Sequence, residues 1–334
     1  MAKVSIVIPT YNRLPRLKQV IAAIERQDYP LEDIEVVIIS DGSTDGTDEY
    51  LSSSKTPLHI RFVPQANAGP AAARNNGIRN AQSNIVLFLD DDVIPSPKLV
   101  AEHMRLQADR QNLVVLGPML NPPDFKLSPW VAWEQTMLDK QYTAMQRGNW
   151  KATERQFYTG NTSVPRQALL KSGGFDERFR RAEDIELAYR LEQQGMEFTF
   201  TMAAVGYHYA ERSFASWLQT PYIYGRHDIV FSREHKKPIL EFVYEGYTYR
   251  NPLIHMIVFL CLDHPHVSRA VQATAKRVAD RSYQMSKLGR QISRAAYSAI
   301  FNLRYYQGVA DELGGRRVFF GGAKASQAEN ELSP

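Results

Sequence analysis

The stretch Ile85-Val86-Leu87-Phe88-Leu89-Asp90-Asp91-Asp92 places five apolar residues directly before three consecutive aspartates. A continuous apolar run, rather than an alternating one, predicts a strand that is covered on both faces, as in a parallel sheet. Similar runs occur earlier in the chain, at residues 4–8, 36–39 and 60–63. Together the four runs predict the strands of one central sheet.

Helical patterns separate these strands. Apolar residues between the first two runs recur at the spacing of one helix face: Leu14, Leu17, Val20, Ile21 and Ile24. Further helices are predicted to begin near Asp45 and near Pro70, whose fixed φ suits a first helical turn. This alternation predicts a doubly wound α/β fold that binds ligands beyond the carboxyl ends of its strands. The rule selects three loops: residues 9–11, 40–43 and 90–92.

The second half of the chain has a looser pattern. Residues 114–116 and 198–200 predict two more strands. Residues 130–150 and 183–194 predict helices, and Gly195 is placed as the C-cap of the second one.

The length of 334 residues suits one large α/β domain with a helical appendage, and 44% apolar with 23% charged residues is ordinary globular composition. A net charge of +4 does not favour nucleic acid as a partner. The longest apolar stretch, residues 253–262, has about half the length of a membrane span, and no secretory signal is recognised. We therefore expect a cytoplasmic protein.

Several acidic residues and one histidine are candidates for chemistry. Three adjacent carboxylates repel one another unless a divalent cation such as Mn²⁺ or Mg²⁺ binds them; the alternative is a solvated acidic turn. Asp41 fits a hydrogen bond to a nucleobase or ribose, or a tight turn before a helix cap. Glu183 and Asp184 open a predicted helix, where acids often serve only the helix dipole. His208 is either a metal ligand or a packed side chain.

Taken in order, these segments resemble glycosyltransferase family 2. The resemblance covers roughly residues 3–210 and rests on six stretches: VSIVIPTYN (4–12), SDGSTD (40–45), NAGPAAARN (67–75), FLDDD (88–92), GGFDE (173–177) and EDIEL (183–187). It implies a GT-A fold, with a Rossmann-like, mostly parallel central sheet flanked by helices, to which this chain adds a C-terminal helical extension. It also implies inverting transfer of a sugar from a nucleotide-diphosphate sugar to an acceptor hydroxyl.

The resemblance further implies roles for single residues. The positions that match nucleotide-sugar-binding residues are Pro9, Thr10, Tyr11, Asp41, Arg74, Asp90 and Asp91. Those implied to bind Mn²⁺ or Mg²⁺ are Asp92, Asp90 and His208. Asp184 matches the catalytic base, and the acceptor-side positions are Gly160, Asn161 and Glu183. The middle residue of the family's D-x-D element is usually small and polar, so the division of roles among the three aspartates stays open.

Two other functions compete with glycosyl transfer. A sugar-phosphate nucleotidyltransferase shares the sheet and the metal, but it usually begins with a glycine-rich loop that holds a triphosphate, whereas residues 9–13 contain no glycine. The glycine-rich fingerprints of dinucleotide enzymes and P-loop NTPases are also missing from the first loop. A non-catalytic nucleotide-sugar binder is the other alternative, although every expected acidic position is filled.

The predicted organisation has three parts. A catalytic domain at residues 1–240 combines a nucleotide-sugar half at about 1–110 with an acceptor half at about 111–240. A helical extension follows at 241–320, and a flexible tail at 321–334.

The extension carries a basic segment, residues 269–304, with eight Lys or Arg and one acid, Asp280. One long helix is predicted here, with apolar residues on a single side: Val271, Val278, Met285, Leu288 and Ile292. In one interpretation this side packs on the catalytic domain and the basic face is solvated. In the other, the segment contacts anionic lipid at the inner face of the cell membrane, which suits a lipid-linked acceptor in glycolipid or polysaccharide synthesis.

Overall fold

The structure is a computed structural model that describes residues 2–108, 110–235 and 238–332, with side chains up to residue 324. The chain forms two compact units. Unit 1 comprises the residues up to Lys126 together with Gln135–Ala210, and unit 2 comprises Leu127–Glu134 together with the residues from Glu211 onward. The second unit therefore begins before the boundary predicted at residue 240.

The strands of the described residues all lie in unit 1. They are β1 Val4–Thr10, β2 Ile34–Asp41, β3 His59–Gln65, β4 Ile85–Leu89, β5 Val93–Pro95, β6 Leu113–Leu116, β7 Met119–Leu120, β8 Asn161–Pro165, β9 Glu197–Phe200 and β10 Gly206–His208. All six strands predicted from the sequence are confirmed, whereas the short β5, β7, β8 and β10 were not predicted.

The helices occur in both units. They are α1 Leu14–Ile24, α2 Thr47–Ser53, α3 Pro70–Asn80, α4 Leu99–Gln107, α5 Pro129–Gln146, α6 Arg166–Lys171, α7 Glu183–Gln193, α8 Phe214–Glu234, α9 Ile239–Thr248, α10 Pro252–Cys261, α11 Pro265–Tyr283, α12 Lys287–Leu313 and α13 Arg316–Leu332. Short 3-10 helices lie at Leu31–Asp33 and Glu154–Gln156.

The central sheet has the strand order β3-β2-β1-β4-β8-β6-β9. The pairs β3-β2, β2-β1 and β1-β4 are parallel, while β8 runs antiparallel to both β4 and β6. Hydrophobic clusters cover both faces, with Val7 and Phe88 on one side and Ile8 and Leu87 on the other. The predicted α/β fold with a mostly parallel sheet is confirmed, and burial on both faces explains why its strands are continuously apolar.

A smaller sheet with the order β5-β10-β7 follows the carboxyl end of β4. In its antiparallel pair, His208 of β10 lies opposite Val93 of β5. Since Val93 is the residue after Asp92, this register brings His208 to the end of the aspartate run.

Unit 2 is helical in all its described secondary structure. Helices α8 and α12 approach closely at Gly308, where an added Cβ would lie 1.9 Å from the Tyr222 carbonyl oxygen. The fully buried Trp217 packs against Trp133 and Tyr297 with ring centroids 5.7 Å away in each case. This aromatic cluster is the core that makes the extension a compact body of its own.

The single long helix predicted after Pro265 is wrong, because the segment forms two helices, α11 and α12, joined at residues 284–286. Ser286 caps α12 by accepting a hydrogen bond from the Gly289 amide at 3.1 Å. The prediction that the apolar side of this segment is packed is also wrong for four of its members. Their exposed fractions are 46% for Val278, 77% for Met285, 67% for Leu288 and 45% for Ile292.

The tail predicted at residues 321–334 is helical as far as Leu332, and residues 333–334 lie outside the described residues; its flexibility stays a prediction. Alanine, lysine, glutamine and glutamate dominate residues 323–331, and these residue types favour helix. Among the described residues, no helix combines the length and the apolar character needed to cross a membrane.

Gly77 offers a test of the packing between α3 and β1. An added Cβ would lie 2.2 Å from Val7 Cγ1, and Val7 is fully buried. We predict that Gly77→Ala lowers the free energy of unfolding by about 1–3 kcal/mol, measured by urea denaturation. Gly246→Ala in α9, where the added methyl meets open space, is the control and should be neutral or stabilising by up to about 1 kcal/mol. Equal losses in the two variants would contradict this packing.

Candidate active site

The three aspartates lie at the carboxyl edge of the central sheet. Val7 of β1 pairs with Phe88 of β4, so the same parallel register sets Thr10 level with Asp91. The Thr10 hydroxyl donates a hydrogen bond of 2.7 Å to Asp91 Oδ2. The sheet therefore brings the first and third predicted loops together, as expected for ligand-binding loops of a doubly wound fold.

Arg13, in the loop after β1, lies against two of the aspartates. Its Nη1 atom donates to Asp91 Oδ1 at 3.2 Å and also to Asp92 Oδ2. Burial raises the pKa of Asp91 to about 7, because it disfavours the charged form more strongly than Arg13 and Thr10 favour it, and the charges of Asp92 and Asp90 add to the rise. The resemblance did not single out Arg13, whose position beside the aspartates appears only once the loop is folded.

The pKa of Asp92 is shifted in the opposite direction. Burial alone would raise its pKa, but a hydrogen bond and charge from His208, together with the Arg13 guanidinium, lower it to about 2. His208 Nε2 lies 3.6 Å from Asp92 Oδ1, and the Tyr209 amide donates to the Asp92 carbonyl oxygen at 2.9 Å. Asp92 is thus an ionised carboxylate next to an imidazole.

Arg74 of α3 binds two further acids of the site, Asp90 and Glu183. Its Nη2 atom donates to Asp90 Oδ1 and its Nη1 atom to Glu183 Oε1, each at 2.8 Å. Arg74 is 6% exposed and Glu183 7% exposed, so both charges are buried and each depends on the other. This bridge ties the end of β4 to the first turn of α7. The nucleotide-binding role implied for Arg74 and the acceptor-side role implied for Glu183 stay predictions.

Asp184 follows Glu183 in the first turn of α7 and keeps part of its surface accessible. Burial, followed by the negative charge of Glu183, raises its pKa to about 7. The residue before the helix, Ala182, has a φ of +58°, a left-handed conformation that alanine seldom adopts. Strain of this kind is held in place by surrounding structure and is frequent at functional sites. Ala182 immediately precedes the two acids in the chain.

Asn161 begins β8 next to the same edge, and Gly160 directly precedes it. Leu89 pairs with Asn161, so Gly160 lies beside Asp90, and an added Cβ would lie 3.1 Å from Asp90 Oδ2 and 2.4 Å from Met119 Sδ. The fully buried Asn161 side chain is engaged inside the protein, with its Nδ2 donating to the Pro118 and Ala204 carbonyl oxygens. The acceptor-side role implied for the pair stays a prediction.

The nucleotide-sugar residues predicted on β1 and β2 lie at the same edge. Pro9 and the buried Thr10 end β1, while Tyr11 is 51% exposed. Both Asp41 oxygens accept hydrogen bonds from the loop between β3 and α3, at 2.8 Å from the Ala68 amide and at 2.9 Å from the Gly69 amide. Asp41 therefore organises the loop before α3, whatever it contributes to a nucleoside.

A divalent ion at this edge would need several oxygen or nitrogen ligands. Among the described side chains, no group of three His, Cys, Asp or Glu is placed to hold an ion by itself. Asp90 is bound to Arg74 and one oxygen of Asp92 to Arg13, while the other oxygen of Asp92 lies 3.6 Å from His208 Nε2. A carboxylate and an imidazole suit Mn²⁺, and ions of this class commonly complete their coordination with substrate phosphates. The pair therefore fits an ion that is shared with a diphosphate substrate.

Comparison with known proteins identifies the class to which this fold and site belong. The model of glycosyl transferase family 2 matches residues 5–172, about half of the chain, and the chain belongs to this family. It is 34% identical over 228 residues to the validoxylamine A glucosyltransferase of Streptomyces hygroscopicus subsp. jinggangensis, a match that covers 60% of this chain and 54% of the relative. It is 30% identical over 235 residues to the chondroitin synthase of Escherichia coli, covering 61% of this chain and 34% of that protein. The matches thus span about half or less of these relatives.

Solved structures with the same fold extend over most of the chain. Residues 1–349 of S. aureus TarS in complex with UDP-GlcNAc superpose with a TM-score of 0.58 at 18% identity, covering 91% of this chain and 90% of that one. The mannosyltransferase PcManGT from Pyrobaculum calidifontis, solved with GDP-Man and Mn²⁺, gives a TM-score of 0.59 at 23% identity, covering 89% and 85%. The predicted GT-A fold is confirmed.

The raised pKa of Asp184 has a consequence for stability. Its folded pKa of about 7 lies above the ordinary value of 3.8, so the folded state binds the extra proton and loses stability as pH rises between these values. We predict that Asp184→Asn removes this loss. Its gain in unfolding free energy over the wild type should be at least about 1 kcal/mol larger at pH 8 than at pH 5. Urea denaturation at both pH values measures it. Asp28→Asn, at an exposed position of unit 1, controls for removal of a carboxylate. A pH-independent difference between Asp184→Asn and wild type would contradict the assignment.

Proposed function

We propose that this chain is an inverting glycosyltransferase that moves a sugar from a nucleotide-diphosphate sugar to an acceptor hydroxyl. The observation that carries the proposal is Asp184, a carboxylate with a raised pKa at the start of α7, next to Glu183, which Arg74 joins to Asp90. Membership of glycosyl transferase family 2 and the glycosyltransferase relatives support the same reaction class.

Asp184 is proposed to act as the general base. A base works best when its pKa lies near the working pH, and burial beside Glu183 moves the pKa of Asp184 there. The carboxylate takes the proton of the acceptor hydroxyl as its oxygen attacks the anomeric carbon, and the bond from that carbon to the diphosphate breaks on the opposite side. The Arg74 bridge to Glu183 positions Asp184 during this step.

The donor is proposed to lie across the carboxyl ends of β1, β2 and β4. Thr10 and Tyr11 border this edge at the end of β1, and Asp41 ends β2. Two proteins of the same fold were solved with nucleotide sugars, TarS with UDP-GlcNAc and PcManGT with GDP-Man. Arg13 supplies positive charge next to Asp91 and Asp92, whose carboxylates would otherwise repel a diphosphate.

Dependence on Mn²⁺ or Mg²⁺ is part of the proposal. Asp92 and His208 would hold the ion, which would act as a Lewis acid and neutralise charge on the departing diphosphate. The ionised state of Asp92 at neutral pH, with its pKa lowered to about 2, supports this role. The structure solved with GDP-Man and Mn²⁺ is a precedent in this fold.

The acceptor is proposed to be a sugar or a lipid-linked glycan, in the synthesis of a polysaccharide, a glycolipid or another glycoconjugate of the cell envelope. The relatives include a chondroitin synthase and a glucosyltransferase that is named for validoxylamine A, so both polymer and small-molecule acceptors occur among them. We place the enzyme in the cytoplasm, at the inner face of the membrane, where a lipid-linked acceptor would be presented.

Donor binding is predicted to raise the melting temperature. A ligand at about 100 times its Kd stabilises the folded state by about 2.7 kcal/mol, which amounts to several degrees for a chain of this size. In a panel of UDP-, dTDP- and GDP-sugars, we expect one donor to give this shift with Mn²⁺ and a smaller one with chelator. Asp92→Ala should lose the metal-dependent part, while Asp28→Ala keeps it. Equal shifts with and without Mn²⁺ would exclude the ion, and no shift with any sugar would argue against the donor class.

The assignment of Asp184 as the general base is tested by measuring turnover. Asp184→Asn is expected to lower kcat by about 100-fold to 10,000-fold, the usual contribution of a general base, while the donor-induced thermal shift persists. In the wild-type protein, kcat/KM should rise with pH and level off above about 7, because Asp184 must lose its proton to act. Asp28→Asn is again the control. Near-normal turnover of a folded Asp184→Asn protein that binds donor would disprove the assignment.

A further inference from the structure

Large apolar side chains lie exposed where α11 turns into α12. We define the hairpin tip as residues 276–294. Met285 is 77% exposed and Leu288 67% exposed, and Val278 and Ile292 are nearly half exposed on either side of them. Single exposed apolar residues are ordinary on protein surfaces, but four beside one turn form a patch that marks an interaction site.

The seam between the two helices explains why these side chains point outward. The buried residues that face it are small: Ala279, Ser282, Gly289 and Ser293. An added Cβ on Gly289 would lie 2.2 Å from the Ser282 carbonyl oxygen, so the two backbones approach closely there. The seam has no space for a side chain at Gly289, and the methionine, leucine and isoleucine of the tip face solvent.

The hairpin tip also concentrates the positive charge of the chain. It contains six Lys or Arg and one acid, a net charge of +5, whereas the remaining residues have 34 Lys or Arg against 35 acids, a net charge of −1. The one acid, Asp280, is engaged inside the hairpin by Lys276 and by the Tyr297 hydroxyl. Five basic side chains of the tip are exposed: Arg277, Arg281, Lys287, Arg290 and Arg294.

We propose that the hairpin tip docks on an anionic lipid bilayer, with Met285 and Leu288 entering the boundary between head groups and acyl chains. Exposed apolar residues surrounded by Lys and Arg match both parts of such a surface, the apolar interior and the phosphate layer. A second copy of this chain would place two tips, each of net charge +5, against each other, and they would repel. Nucleic acid would satisfy the charge but leave the aliphatic side chains in water. The proposal does not depend on glycosyl transfer.

The test is co-sedimentation of the full-length chain with vesicles. We expect binding to vesicles of equimolar phosphatidylcholine and phosphatidylglycerol, weakened by salt, and little binding to phosphatidylcholine alone. Lys287→Gln with Arg290→Gln should weaken binding roughly thirtyfold, at about 1 kcal/mol for each basic residue near the membrane. Met285→Ser with Leu288→Ser should weaken it at least about tenfold through lost apolar burial. All four positions are exposed, so the variants are expected to fold, which circular dichroism checks.

Two matched controls have the same chemical changes at exposed positions elsewhere. Leu170→Ser with Val318→Ser removes two apolar side chains, and Lys140→Gln with Lys151→Gln removes two positive charges. Both should bind vesicles as the wild type does. Unchanged binding in the tip variants, or no binding of the wild type to anionic vesicles, would overturn the proposal. A loss confined to the charge variant would overturn the insertion of Met285 and Leu288. Binding of a short RNA duplex without vesicle binding would assign the tip to nucleic acid instead.

Discussion

The buried Arg74 guanidinium, which binds Asp90 and Glu183 at 2.8 Å each, is the interaction on which the site depends. It comes from α3, while its two partners come from the end of β4 and the start of α7. Removing one partner of such a bridge leaves an uncompensated buried charge, at a cost of about 3–5 kcal/mol. The bridge therefore keeps α7 at the edge of the sheet, and with it Asp184. Without that placement, the proposed base and the aspartate run would be unrelated parts of the chain.

The acids of this edge differ in their protonation because their neighbours differ. His208 and Arg13 keep Asp92 ionised, with a pKa of about 2, whereas burial raises the pKa values of Asp91 and Asp184 to about 7. Carboxylates whose pKa values are moved apart can take different roles in one reaction. This separation supports Asp92 as the charged carboxylate of the site and Asp184 as the proton acceptor. Among the three aspartates, whose roles the sequence left open, it favours Asp92 over Asp91 as the ionised one.

Much of unit 1 was predictable from local sequence patterns. The run 85–89, the spacing of apolar residues in α1 and the proline at the start of α3 each correspond to an observed element. Short strands such as β10 were missed, because three residues carry too little pattern to recognise. The resemblance selected Asp184 and His208, but the contacts of Arg13 with Asp91 and Asp92 depend on the folded path of a loop, which no local pattern encodes.

The sequence by itself determined the α/β class, the order of the main strands and the acidic residues that follow β4, because apolar periodicity and turn residues act over a few positions. Tertiary structure alone decided that His208 reaches Asp92, through the pairing of β10 with β5, and that Gly160 lies beside Asp90, through the register of β8 with β4. It also decided that Met285 and Leu288 face solvent, beside the turn where α11 and α12 approach closely at Gly289. These outcomes depend on pairing and packing between distant segments, and such contacts are chosen by the whole fold rather than by neighbouring residues.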